Sequence, residues 1–123
     1  MQDREEPPQP IFTVKDCGMA EFNGKYYVDT DHKDGFVNGK HCYRKNGVGD
    51  ADSESTIEWY AYLGGTWYMT KNFKLSYRYY SVESDADQPP TSGWIIAEYG
   101  SGSPPQLVYE ESDVPNLYVI LYG

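Results

Sequence analysis

Cysteine is almost absent from this chain of 123 residues, with Cys17 and Cys42 the only two. Two thiols close at most one bridge, so the fold cannot rest on a disulfide framework, and bridged and reduced states both stay open. Positive charge is also sparse. Ten Lys and Arg stand against nineteen Asp and Glu, a formal charge of −9, and the basic residues are scattered rather than gathered into a patch. Nucleic acid and anionic membrane both demand a clustered basic footprint, so both are disfavoured as partners. No apolar run approaches about 18 residues, and no basic stretch precedes an apolar signal core, which argues against a spanning helix or a secretory leader. The cytoplasm is slightly favoured as compartment, with secretion left open. Helical periodicity is missing as well: nowhere do apolar residues recur at i, i+3, i+4 and i+7 for long enough to make a convincing helix.

What the chain has in abundance is tyrosine. Thirteen Tyr stand beside four Phe and three Trp, 16% aromatic in all, while the apolar share is only 39%. Such rings carry a polar end that needs a hydrogen-bond partner or a place at the edge, so the expected core is thin and amphipathic. A chain of this length buries about two thirds of its unfolded surface, enough for one core and one domain.

The apolar segments are short and bounded by turn formers. Residues 1–10 hold three prolines and four charges and read as a flexible tail, which leaves 11–123 as the domain. Ile11 to Val14 has strand character. Asn23-Gly24 and Asn38-Gly39 each sit between β-forming residues, the strongest local hairpin signal because both residues tolerate positive φ. Residues 46–55 are polar and read as a loop. Thr56 to Leu63 has bulky residues on both parities and Gly64-Gly65 turns it back into Thr66 to Met69, so at least one of these two strands is covered on both faces or carries a bulge. Lys74 to Tyr80 alternates, placing Leu75, Tyr77 and Tyr79 on one side of a strand. After an acidic, proline-rich loop, Trp94 to Tyr99 and Gln106 to Tyr109 read as two more strands, and Leu117 to Tyr122 as another, with 110–123 a candidate addition to the sheet. The sum is an all-β single domain of about seven to nine short, mainly antiparallel strands.

Chemistry-bearing constellations are weak. His32, His41, Cys17 and Cys42 lack the paired short spacing of a structural zinc site, and His41 and Cys42 are adjacent, which in a strand aims them at opposite faces. Asp29, Asp31 and Asp34 suggest a calcium loop, but counting from Asp29 the EF-hand glycine position is Asp34 and the bidentate glutamate position is Lys40, so an acidic turn is the better reading. No nucleophile elbow and no phosphate-cradling glycine loop occurs. Hence no catalytic residue, metal ligand or cofactor is assigned, and enzyme activity is not expected. Pro89-Pro90 before Trp94 reads as an internal ring-on-proline contact rather than a ligand for a proline-recognition domain.

The order of signals is more specific than any one of them: Phe22-Asn-Gly-Lys-Tyr26, Asn38-Gly-Lys with Tyr43, Ile57-x-Trp59, Trp67-Tyr68-Met69, Tyr79-Tyr80-Ser81, Pro89-Pro90-x-x-Gly93-Trp94 and Pro105-x-Leu107. Over residues 18–108 this series resembles a loosely characterised family of aromatic-rich eukaryotic modules built on a β meander and often repeated in multidomain proteins. It departs from the family pattern at Met69, where a smaller aliphatic residue is usual, and by the extension 109–123. The resemblance implies a non-catalytic interaction domain. Among the aromatic surplus, Tyr60, Trp67, Tyr68, Tyr80 and Trp94 are the candidate binding residues, since exposed Tyr and Trp concentrate at recognition hot spots. A protein is the expected partner. A glycan-binding module and a structural spacer unit are the alternatives, and Leu117 to Tyr122 offers an uncharged strand through which two copies could pair.

Overall fold

The computed structural model describes residues 9–30, 32, 36–46, 54–61 and 64–110. Most of the tail and the whole of the 117–122 segment lie outside these residues, and the domain boundaries placed there go with them.

Strands β1 (Phe12–Lys15), β2 (Gly24–Val28), β3 (Phe36–Val37), β4 (Lys40–His41), β5 (Tyr43–Lys45), β6 (Ser55–Tyr60), β7 (Thr66–Lys71), β8 (Tyr80–Glu83), β9 (Ile95–Ile96) and β10 (Gln106–Tyr109) follow in chain order, with a 3₁₀ turn at Ala20–Phe22 between β1 and β2. Eight of them form a single sheet in the order β10-β1-β2-β5-β6-β7-β8-β9, and β3 and β4 make a separate hairpin. Every pairing is antiparallel. The expected all-β, single-domain, antiparallel fold is what the chain adopts.

The period of two decides what is buried. Cross-strand register carries Tyr109 and Leu107, Phe12 and Val14, Tyr26, Tyr43, Ile57, Trp67 and Met69, then Tyr80 and Val82 along one face. That face curls around a core in which Phe12, Tyr26, Ile57, Trp67, Met69 and Tyr80 are fully buried. Leu107 in β10 donates its backbone N–H to the Thr91 carbonyl just before β9, 3.0 Å away, so the two outermost regions of the sheet are drawn toward each other.

The polar tips of the core aromatics explain why so many are Tyr and Trp rather than Phe. The stretch from Ser84 to Pro90 has two prolines and no strand, so its carbonyls lack ladder partners. Trp59 Nε1 donates to the Ser84 carbonyl at 2.8 Å, Trp67 Nε1 to Ala86 at 3.3 Å, the Tyr109 hydroxyl to Pro89 at 2.5 Å and Trp94 Nε1 to Pro90 at 2.9 Å. Four rings thus pin one loop. The contact between Trp94 and the proline pair is internal, made through the indole N–H.

β6 is covered on both faces over its first four residues, one of the outcomes its mixed parity allows. Its outer residues Thr56 and Glu58 are buried beside Thr70, with the two threonine hydroxyls 2.8 Å apart. Phe73 closes over them: its N–H donates to Thr56 Oγ1 at 2.9 Å, its ring stacks on His32 at 3.9 Å, and the Arg44 guanidinium lies 5.2 Å from its centroid.

Three local expectations are corrected. Asn38-Gly39 is the positive-φ turn of the β3–β4 hairpin, with φ of 55° and 87°, but Asn23-Gly24 is no such turn. Asn23 has φ −76° and ψ 137°, and its side-chain amide instead bonds the N–H and carbonyl of Cys17 at 2.9 and 3.1 Å, closing a wider β1–β2 connection. Residues 74–79 are not a strand, because Asn72 and Phe73 take left-handed φ of 53° and 58° and start successive turns in which Lys74 N–H bonds Lys71 and Tyr77 N–H bonds Lys74. The segment 94–99 keeps only Ile95–Ile96 as strand, since Trp94 turns into the core and residues 97–100 reverse direction through the Gly100 N–H to Ala97 carbonyl bond.

Candidate functional site

Burial separates the five predicted binding rings into two groups. Trp67 and Tyr80 are fully buried and Trp94 is 4% exposed, so these three belong to the core and present no ring face outward. Their own hydrogen bonds to loop carbonyls, including that of the Tyr80 hydroxyl to Ser101, hold them there. Tyr60 and Tyr68 are partly exposed on the outer face, their centroids 6.0 Å apart. The Arg78 guanidinium lies 6.0 Å from the Tyr68 ring.

The exposed apolar surface lies one step further along the sheet. Ile95 is 61% exposed, Tyr99 50%, Ile96 47% and Tyr77 46%. These four surround the β8–β9 edge. Tyr99 meets Tyr77 edge-on at 5.3 Å and Tyr79 at 6.1 Å, and Tyr79 in turn packs on Phe22 at 5.1 Å, so exposed rings continue into buried ones. Gly100 makes this geometry available: a Cβ there would collide with the Tyr79 carbonyl, so only glycine lets the 97–100 turn lie against residue 79. Two cations near the patch are paired with carboxylates. Arg78 pairs with Glu98 at 2.5 Å, and Lys71, above the rings of Phe22 and Tyr79, pairs with Glu21 at 3.1 Å.

Sequence reading missed Tyr77, Ile95, Ile96 and Tyr99 as site residues because it placed them within longer strands, where one face must be buried. The signal available was the pair of consecutive isoleucines: in a strand they point to opposite faces, so a short edge strand bearing both exposes at least one.

The polar cluster beneath Phe73 has groups that chemistry could use, but its geometry holds them still. Asp29 is buried, accepts from Arg44 Nε at 2.8 Å and from the His32 N–H at 3.0 Å. Cys42 Sγ lies 3.6 Å from the Asp29 carbonyl, and burial, then the carboxylates of Asp29 and Glu58, push its thiol up to about 12. Such a thiol stays protonated at neutral pH and is a poor nucleophile. Both cysteines are free and buried. For the calcium reading, Asp29 is engaged by Arg44, while Asp31 and Asp34 lie outside the described residues. Among the described residues no group of three His, Cys, Asp or Glu is arranged to hold a metal ion, and no helix is long and apolar enough to cross a membrane. An open groove of about 630 Å³ lies between His41, the 86–91 loop and Tyr109.

No family model, curated protein or solved structure matches the chain. The fold and its exposed aromatic clusters therefore define the class: an all-β domain whose surface is consistent with a non-catalytic interaction face.

Proposed function

We propose that this chain is a non-catalytic module that binds a protein partner at the β8–β9 edge. One observation carries the reading: Tyr77, Tyr99, Ile95 and Ile96, four of the five strongly exposed large hydrophobics among the described residues, gather there. Scattered exposed apolar residues are ordinary, whereas four gathered at one sheet edge beside charged pairs match the composition of a recognition surface. The motif order that resembles the aromatic-rich modules points the same way. The acidic balance directs the surface toward a partner with positive potential and away from nucleic acid and anionic membrane.

A glycan remains the second reading because exposed tyrosines also stack on sugars. The ring planes favour the protein: Tyr77 and Tyr99 stand at 64° to each other and Tyr60 and Tyr68 at 59°, so neither pair makes a flat platform for consecutive sugar rings. The spacer reading requires no exposed patch at all. The test is Tyr77→Ser with Tyr99→Ser. Both sites are half-exposed, so the expected stability change is within about 0.5 kcal/mol per site, while capture of a protein partner falls by about tenfold or more. Undiminished capture, or saturable glycan-array binding lost in the same variant, would replace the protein reading.

A further inference from the structure

Among the described residues β9 ends the strand order, with β8 as its neighbour in the sheet. Edge strands are ordinarily blunted with lysine, proline or a bulge. β9 carries none of these; it is the two-residue strand Ile95-Ile96, approached just before its start by β10 through the Leu107 N–H to Thr91 carbonyl bond. Register places Ile95 in the outer row with Tyr68 and Ser81, and Ile96 in the inner row with Met69 and Tyr80. The edge therefore offers an apolar side chain above and below its backbone, the arrangement a neighbouring strand packs against.

Charge at the two ends of β9 differs. Because Ser81 pairs with Ile95, Glu83 lies past the N-terminal end of β9, with Asp85 beyond it. Both carboxylates are exposed and neither forms an ion pair with a described residue; the Lys40 ammonium reaches the Asp85 carbonyl at 3.0 Å but pairs with Asp87, which leaves Glu83 the better placed of the two. At the C-terminal end stand Tyr77 and Tyr99, where Ala97 N–H bonds the Tyr79 carbonyl and Tyr99 N–H the Arg78 carbonyl. The nearby cations Arg78 and Lys71 are already paired with carboxylates.

Resting on the protein-binding reading, we infer that the partner binds by strand addition: an extended segment, apolar residues first and Lys or Arg after them, lies antiparallel along β9. Its N-terminal part meets Tyr77 and Tyr99, and its basic part meets Glu83 and Asp85. Main-chain bonds supply affinity and alternate side chains supply specificity. A second copy of the chain is the poorer occupant, because two molecules of formal charge −9 repel and would bring like carboxylates together.

The experiment is selection of a displayed random-peptide library on the full chain, with an Ile95→Lys, Ile96→Lys variant as counter-selection. Enriched peptides are expected to alternate apolar residues and to end in Lys or Arg. N-methylation along one such peptide, measured on the unmodified chain, is expected to weaken binding by about tenfold or more at residues of one parity and leave the other parity nearly unchanged. Absence of enrichment, helical spacing of the apolar residues, acidic consensus or loss without parity would overturn strand addition. Loss without parity that still follows Tyr77→Ser and Tyr99→Ser would leave the aromatic-edge reading standing; indifference to those changes would remove both. Light scattering that shows a dimer abolished by Ile95→Lys would assign the edge to a second copy and overturn the inference.

Discussion

Two regions of this molecule are built from the same rings and put them to opposite use. At the loop from Ser84 to Pro90, Trp59, Trp67, Trp94 and Tyr109 turn inward, and each polar tip meets a main-chain carbonyl. At the β8–β9 edge, Tyr77 and Tyr99 meet other rings and keep about half their surface in solvent. Ring type is not what separates them. The proline-bearing loop presents carbonyls that no strand satisfies, and a buried carbonyl without a partner costs on the order of 1–3 kcal/mol, so indole and phenol donors are drawn in. The 97–100 turn satisfies its own backbone through the Tyr79, Arg78 and Ala97 carbonyls. Its tyrosines are thereby left outward.

The broadest way to break the inward set is alkali, because it acts on several rings at once. Burial pushes the Tyr43 hydroxyl up to about 12 from its ordinary 10.0, and shifts those of Tyr26 and Tyr109 upward as well. The folded chain therefore holds these protons more tightly than the unfolded one. Their contribution to stability is complete below about pH 10 and is lost as pH rises toward about 12 and beyond. Urea midpoints measured from pH 8 upward should hold level until about 10 and then fall, tyrosinate absorbance rising with the unfolding. A flat midpoint through the whole range would contradict the burial of these hydroxyls.

Trp67→Ala comes next. It empties a fully buried ring site and releases the Ala86 carbonyl, so the expected loss is about 4 kcal/mol in urea or thermal unfolding. A loss below about 1 kcal/mol would place Trp67 with the surface rings.

Gly100→Ala sharpens the outward side. The added methyl is directed at the Tyr79 carbonyl, and the expected loss is about 2 kcal/mol as the turn moves away. The near-ultraviolet dichroism of the Tyr77, Tyr79 and Tyr99 group should change with it. An unchanged spectrum and stability would mean that the turn does not lie against residue 79.

What the sequence allowed to be read follows the same division. All-β class and single-domain organisation come from short apolar segments between turn formers, which is local information. Asn38-Gly39 is legible for that reason. Asn23-Gly24 has the same letters, yet the Asn23 side chain is taken by the backbone of Cys17, six residues earlier. The alternation of residues 74–80 gives a strand pattern that the left-handed pair Asn72-Phe73 overrides, held by Thr56, His32 and Arg44 from other parts of the chain. For the site, the sequence marks Tyr60, Trp67, Tyr68, Tyr80 and Trp94 alike as candidate binding rings; Tyr60 and Tyr68 are partly exposed and the other three are buried, a division that is not legible because nothing local reveals the carbonyls that hold those three inward.

On the proposed function, Tyr77 and Tyr99 form the working surface while the inward rings serve the fold. Tetranitromethane nitration, mapped by mass spectrometry on the free chain and on the chain with its captured partner, tests it most directly. Early nitration of Tyr77 and Tyr99 is expected in the free chain, with protection of Tyr26, Tyr43 and Tyr80, and shielding of Tyr77 and Tyr99 once the partner is bound. Equal reactivity of Tyr77 and Tyr99 with and without partner, or early nitration of Tyr80, would contradict it.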